Sequence, residues 1–433
     1  MPARDVIETL ALLLAAGLGS QLLAGMLRVP RMVVLVGAGA LVGPDVAGAL
    51  DLPLESVGVQ ILLTLGVSMI LFHGGLGLSF AVLRLVAVGL GLLAVPGVLV
   101  TALVTGAAAA LAFDLPFEAG LLIGAVLAPT DPAILIPLFE RMRLRAKVAQ
   151  TVVAESALND PTGAVLALAI AAFVLEGDGS LAEPLGEFVL DLGISTGLGI
   201  LFGAVLALVI SQRRTGIWRE SPAIAVLLVV TGGYFTIDFA GGSGYLGAFI
   251  AGLIVGNLDT LGLGMHSRRE SEMRSFAATT ADVVVMFVFL VLGANLPFGE
   301  LPDEGLPALL TVAALVLVAR PLTVLACLMP DRRGRWERRE LAFVAWTRET
   351  GVVPAALAGV LIAEGVPYEA ELVTVVAVAI VVTLAVQSTT KAWLARRLGL
   401  DDADGPSPGY DQGYGEFETG WRSPVAKRSK RNG

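Results

Sequence analysis

The stretch Ala154-Glu155-Ser156-Ala157-Leu158-Asn159-Asp160-Pro161 places two carboxylates, a hydroxyl and a carboxamide inside an apolar run. Glu155 and Asn159 stand four residues apart and share a helical face, and Ser156 and Asp160 repeat that spacing one residue on. A charge at the centre of a membrane helix costs roughly 2.5–3.5 kcal/mol on insertion scales. Two carboxylates on one such helix are too costly for a packing feature; they are kept for pairing, for a watery cavity or for transport. Upstream, Leu127-Ala128-Pro129-Thr130-Asp131-Pro132-Ala133 sets Thr130-Asp131 between two prolines. Each proline removes a backbone N–H and crowds the preceding turn. The helix is therefore expected to break here and free carbonyls to coordinate an ion, a simple kink being the alternative. Interrupted helices at the middle of the membrane are a mark of secondary transporters. Arg320, in Val318-Ala319-Arg320-Pro321, lies deep in another apolar run and needs an anionic partner. In Trp346-Thr347-Arg348-Glu349-Thr350-Gly351-Val352-Val353-Pro354, Gly351 and Pro354 predict a second break, and Arg348 and Glu349 are expected to satisfy each other. His73, alone near the end of a run, reads as an interfacial polar residue rather than a metal ligand.

The elements that position these residues are membrane helices. Of 433 residues, 56% are hydrophobic and only 15% charged, against about 25% charged in an ordinary soluble protein. That excludes a cytosolic enzyme, a nucleic-acid binder and a disordered regulator. The single cysteine, Cys327, excludes an intramolecular disulfide framework and a multi-cysteine metal site. The 51 glycines follow no collagen period and point to close helix packing. Apolar runs long enough to cross a bilayer lie near 6–27, 31–48, 54–75, 85–112, 117–139, 148–175, 188–211, 221–240, 244–259, 276–296, 305–329, 338–363 and 370–395. The first lacks the basic flank and cleavage site of a signal peptide. With thirteen spans, 26 of the 29 Lys and Arg residues fall in the odd-numbered connections, at the span edges beside them, or at and after the end of the last span, and none in the even connections. The exceptions are Arg4, Arg320 and Arg348. Basic residues collect on the cytoplasmic side, so a multi-pass cell-membrane protein is expected, with the N-terminus outside and the C-terminus cytoplasmic. The tail, 398–433, has the composition of a disordered, solvated segment, and its basic end could touch anionic lipid.

Thr130-Asp131-Pro132 followed by Glu155-Ser156-x-x-Asn159-Asp160 resembles the monovalent cation:proton antiporters of the NhaP/NHE branch. Supporting matches are Pro30 to Gly43-Pro44, Ser243-Gly244-Tyr245-Leu246-Gly247-Ala248-Phe249 with Ala251-Gly252, and Ala319-Arg320-Pro321, so that the resemblance covers about residues 6–397. It implies an all-α polytopic fold of thirteen transmembrane helices in two inverted repeats, with two broken crossing helices as in NhaA-like antiporters. The transmembrane domain, 1–397, would divide into scaffold and dimer spans near 6–75 and 221–296, core spans near 85–175 and 305–395, and a linker span at 188–211. A homodimer is implied, whose core moves against the scaffold to expose the ion site to each side in turn.

Residue by residue, the resemblance makes Asp160 the carboxylate that alternately takes a cation or a proton. Ser156 and the Thr130 backbone help coordinate the cation, with Asp131 close by. Glu155 pairs with Arg320 and contacts Asn159. Arg348 and Glu349 support the site, although here Thr350 stands before Gly351 where the family often has Arg, which leaves the role of Arg348 open. No cofactor is expected; the transported species are Na⁺, or K⁺ or Li⁺, and H⁺. Electrogenic relatives carry Asp where this chain has Asn159, so electroneutral exchange of one cation for one proton is expected. Sodium leads and potassium is the alternative of the same machine, because no cytoplasmic ligand-gated domain is expected after the membrane part. A passive channel is a further alternative. An intramembrane aspartyl protease using Asp131 and Asp160 is remote, since neither sits in a Gly-x-Gly-Asp context.

Overall fold

Inside a bilayer every backbone polar group must find a partner within the chain, and helices meet that demand locally. The computed structural model describes residues 3–27, 31–44, 46–49, 52–53, 56–78, 80–130, 144–176, 182–211, 218, 220–296 and 301–400, and its regular structure is helical. Asp131 and the 401–433 segment lie outside the described residues. The first half of the chain forms α1 (Ala3–Leu27), α2 (Arg31–Val42), α3 (Val57–Leu76), α4 (Phe80–Ala94), α5 (Pro96–Phe113), α6 (Phe117–Leu127) and α7 (Ala146–Glu176). The second half continues with α8 (Ala182–Ile210), α9 (Pro222–Phe239), α10 (Gly244–Gly256), α11 (Ser267–Ala294), α12 (Leu301–Ala314), α13 (Arg320–Leu328), α14 (Arg338–Trp346), α15 (Val352–Ala363), α16 (Glu369–Val382) and α17 (Thr389–Leu398). Wider π-helical turns at Leu315–Ala319 and Thr383–Ser388 join α12 to α13 and α16 to α17.

Among the described residues nine helices are long and apolar enough to cross a membrane. Four shorter apolar ones, Arg31–Val42, Phe117–Leu127, Gly244–Gly256 and Val353–Ala363, fall inside the remaining runs of the sequence. Apolar side chains cover the outside: on α1, Leu22 and Met26 are largely exposed, as a surface facing lipid tails should be. The interior is mostly apolar but also encloses Glu155, Asp160, Arg320, Arg348, Glu349 and Lys391.

Small residues let the backbones meet. A Cβ on Gly39 of α2 would strike the Leu290 carbonyl of α11, and one on Gly293 of α11 would strike the Val36 carbonyl of α2. Gly75 of α3 and Gly252 of α10 make the same kind of contact. These approaches favour van der Waals packing where lipid removes the hydrophobic drive between helices. They tie α1, α2, α3 and α8–α11 into one set of neighbours, while α4–α7 and α12–α17 pack mainly among themselves. α15 packs on α3 and α11 of the first set and on α6, α7 and α16 of the second.

Candidate functional site

The site begins where α6 stops. Ala128 still donates to the Ala125 carbonyl (3.1 Å), but Pro129 and Thr130 leave the helix. Thr130, only 2% exposed, turns its freed backbone N–H to Asn159 Oδ1 (3.1 Å). Asn159 Nδ2 donates in return to Thr130 Oγ1 (2.9 Å), which also shares a hydrogen bond with Ser156 Oγ (2.8 Å). The end of α6 is thus spliced onto one face of α7, with Asp160 on the next residue, itself buried. Pro161 does not interrupt α7. Gly163, one turn beyond Asn159, receives the Pro129 ring, and a Cβ there would overlap it.

Glu155 and Arg320 form a two-pronged ion pair: Nη1 meets Oε1, and Nη2 lies 2.9 Å from Oε2. Both side chains are buried, and Nη2 also donates to the Thr347 carbonyl (3.0 Å). Pro321 has no N–H to give the preceding turn, and the helix widens at Leu315–Ala319 immediately before Arg320. Wider turns of this kind recur at functional sites.

The segment around Gly351, before Pro354, also departs from the helix. α14 ends at Trp346, α15 starts at Val352, and the intervening segment is not helical. Its charges pair otherwise than the sequence suggests. Arg348 donates to the Leu127 and Ala128 carbonyls, the latter at 3.0 Å, rather than to Glu349. Glu349 pairs with Lys391, and Ser388 Oγ donates to its Oε1 (3.0 Å). Arg348 and Glu349 thus face different helices. Lys391 counts among the cytoplasmic cations by sequence, yet it is fully buried. Its signal was readable: Thr383, Gln387 and Lys391 form a polar stripe at four-residue spacing in an apolar run. The Asn159 carboxamide, expected beside Glu155, spends its hydrogen bonds on Thr130.

The structure therefore joins Thr130, Ser156 and Asn159 by hydrogen bonds, with the buried Asp160 next in sequence, and separately joins Glu155, Arg320 and the Thr347 carbonyl, while Asp131 lies outside the described residues. Hydroxyl, carbonyl and carboxylate oxygens are the donors that suit a hard cation. Among the described residues no cluster of three His, Cys, Asp or Glu could hold a resident metal.

Residues 10–397 match the family described as sodium/hydrogen exchanger, transmembrane. The chain is similar to the K(+)/H(+) antiporter NhaP2 of Shewanella sp. strain ANA-3, with 29% identity over 407 residues, 92% of this chain and 68% of that one. It is also similar to a probable Na(+)/H(+) antiporter 2 of Methanocaldococcus jannaschii, with 29% identity over 309 residues, 69% and 71% of the two chains. Its fold resembles the sodium proton antiporter MjNhaP1 of M. jannaschii solved at pH 8, with a TM-score of 0.76 at 24% identity, covering 91% of this chain and 99% of that one.

Proposed function

The chain belongs to the sodium/hydrogen exchanger family, a multi-pass membrane cation:proton antiporter of the NhaP type and not an enzyme, and from that premise we propose that it exchanges Na⁺ for H⁺ with Asp160 as the shared site. The observation that carries this reading is the splice of Thr130, Ser156 and Asn159, which joins the Thr130 hydroxyl after α6 to the Ser156 hydroxyl of α7, one helical turn from the buried Asp160. A cation bound there displaces the proton of Asp160, and a proton displaces the cation. Asp131, next to Thr130, belongs to the same site, and Glu155, Arg320, Arg348 and Glu349 support it.

The proposal includes thirteen spans in inverted repeats, with the breaks after α6 and α14 crossing at mid-membrane. α4–α7 and α12–α17 form the moving core, α1–α3 and α9–α11 the scaffold of a homodimer, and α8 the linker. The N-terminus lies outside and the C-terminus in the cytoplasm. K⁺/H⁺ exchange is the second reading, favoured by the name of the Shewanella relative.

Proteoliposomes with an imposed pH gradient test both readings. Dissipation by Na⁺ well above that by K⁺ supports the first and the reverse supports the second. Asp160→Asn keeps volume and hydrogen bonding but cannot titrate. It is expected to fold and to exchange nothing; proton-coupled flux near the wild-type rate would overturn the assignment.

A further inference from the structure

Glu349 and Lys391 are a second buried ion pair, outside the splice around Asp160. Non-helical backbone at 347–351 has no ladder of its own to hold it. The last helix supplies the grip. Thr383 Oγ1 accepts the Thr350 N–H (3.1 Å), Gln387 Nε2 donates to the Trp346 carbonyl (2.7 Å), and Trp346 Nε1 donates to Thr390 Oγ1 (2.9 Å). Ser388 and Lys391 take Glu349. The wide turn at Thr383–Ser388 carries three of these groups. The segment so gripped gives its Thr347 carbonyl to Arg320 and sends Arg348 across to the Leu127 and Ala128 carbonyls, two residues before Thr130.

A buried ion pair is weak evidence for stability, because apolar replacements of similar volume are often neutral or better; its best-attested use is to fix register. We propose that Glu349 and Lys391 are positioning residues for cation binding. They lock the 347–351 segment to the last helix, and through Arg348 they set where the carbonyl end of α6, and with it Thr130, stands against Ser156 and Asp160. This rests on the reading of Asp160 as the exchange site.

The test measures the apparent KM for Na⁺ and the maximal rate in proteoliposomes, well below the unfolding temperature, for Glu349→Gln, Lys391→Gln, the double variant and Ser388→Ala. Residues that orient ligand groups typically change cation affinity by about 10–100-fold. Each single charge variant should raise KM about tenfold or more with a maximal rate within about threefold of wild type. The double variant buries no lone charge, so its unfolding temperature should recover while its KM stays high. Ser388→Ala, which leaves both charges in place, should raise KM by about twofold or more. A double variant with recovered stability and wild-type KM would make the pair merely structural and overturn the proposal, as would a wild-type KM in Ser388→Ala should the charge variants not fold. The two readings fail separately: exchange in Asp160→Asn removes the site itself, whereas a dead Asp160→Asn beside unchanged KM in the pair variants removes only the positioning role.

Discussion

Arg320 answers two needs with one guanidinium, closing Glu155 in α7 and holding the Thr347 carbonyl of the second break. Removing one partner of a buried pair leaves an uncompensated charge and costs roughly 3–5 kcal/mol. Glu155→Gln and Arg320→Ala should therefore each lower the unfolding temperature in detergent, and the double variant should lose less than the sum of the two. Strict additivity in that cycle would show that the two groups do not interact. The need of this deep arginine for an anionic partner was legible in the sequence, whereas Glu155 as that partner was implied only by the family resemblance. Arg348 and Glu349 were not legible in the same way. Adjacency in sequence suggests mutual pairing, but in the non-helical segment between α14 and α15 they part, Arg348 to the carbonyls at the end of α6 and Glu349 to Lys391 of α17. Lys391 carried a signal in its polar stripe, but Arg396 and Arg397 follow it and make the end of the run look like the cytoplasmic edge.

At the scale of elements, prolines were only half informative. Pro129 marks a real end of α6, whereas Pro161 and Pro307 sit inside helices, where neighbouring helices and local adjustment can satisfy the freed backbone groups. The wide turns at 315–319 and 383–388 left no trace in hydropathy, because one extra residue in a turn does not alter composition. The packing of α6 against α7 rests on Gly163, whose missing side chain admits the Pro129 ring. Gly163→Ala sets two effects against each other. Alanine gains up to about 1 kcal/mol of helix propensity, and overpacking costs about 1–3 kcal/mol. A net loss of stability is expected, with a higher KM for the cation as the ring and Thr130 move. Gly193→Ala in α8, where a Cβ meets nothing within 4 Å, is the control and should be neutral or stabilising in the same thermal scan. Equal behaviour of the two variants would show that Pro129 is not seated on Gly163.

For the whole molecule, the spacing of apolar runs and the sorting of basic residues gave most of the helix positions, because a bilayer enforces both. How the helices group was not readable from any one run; it depends on glycine contacts between distant segments such as Gly39 and Gly293. Function at this scale turns on how many charges cross per cycle. On the proposed reading Asp160 alone carries the proton, since Glu155 is held by Arg320 and Asn159 is an amide. Exchange should therefore ignore a potassium–valinomycin membrane potential. Its pH profile should be a bell whose acid limb moves to lower pH as sodium rises, since cation and proton compete for one group. A rate that follows the imposed potential would require a second carried proton. The same long-range pairing also sets the order of events during synthesis. Glu155 leaves the ribosome 165 residues ahead of its arginine, and at about 5–20 residues per second that is a delay of roughly 8–33 s. For that interval α7 holds the deep carboxylates of Glu155 and Asp160 with no arginine from α13 to meet Glu155. The nascent helix must wait in the wet environment of the insertion machinery, or lie at the membrane surface, until the second half of the chain arrives to draw it in.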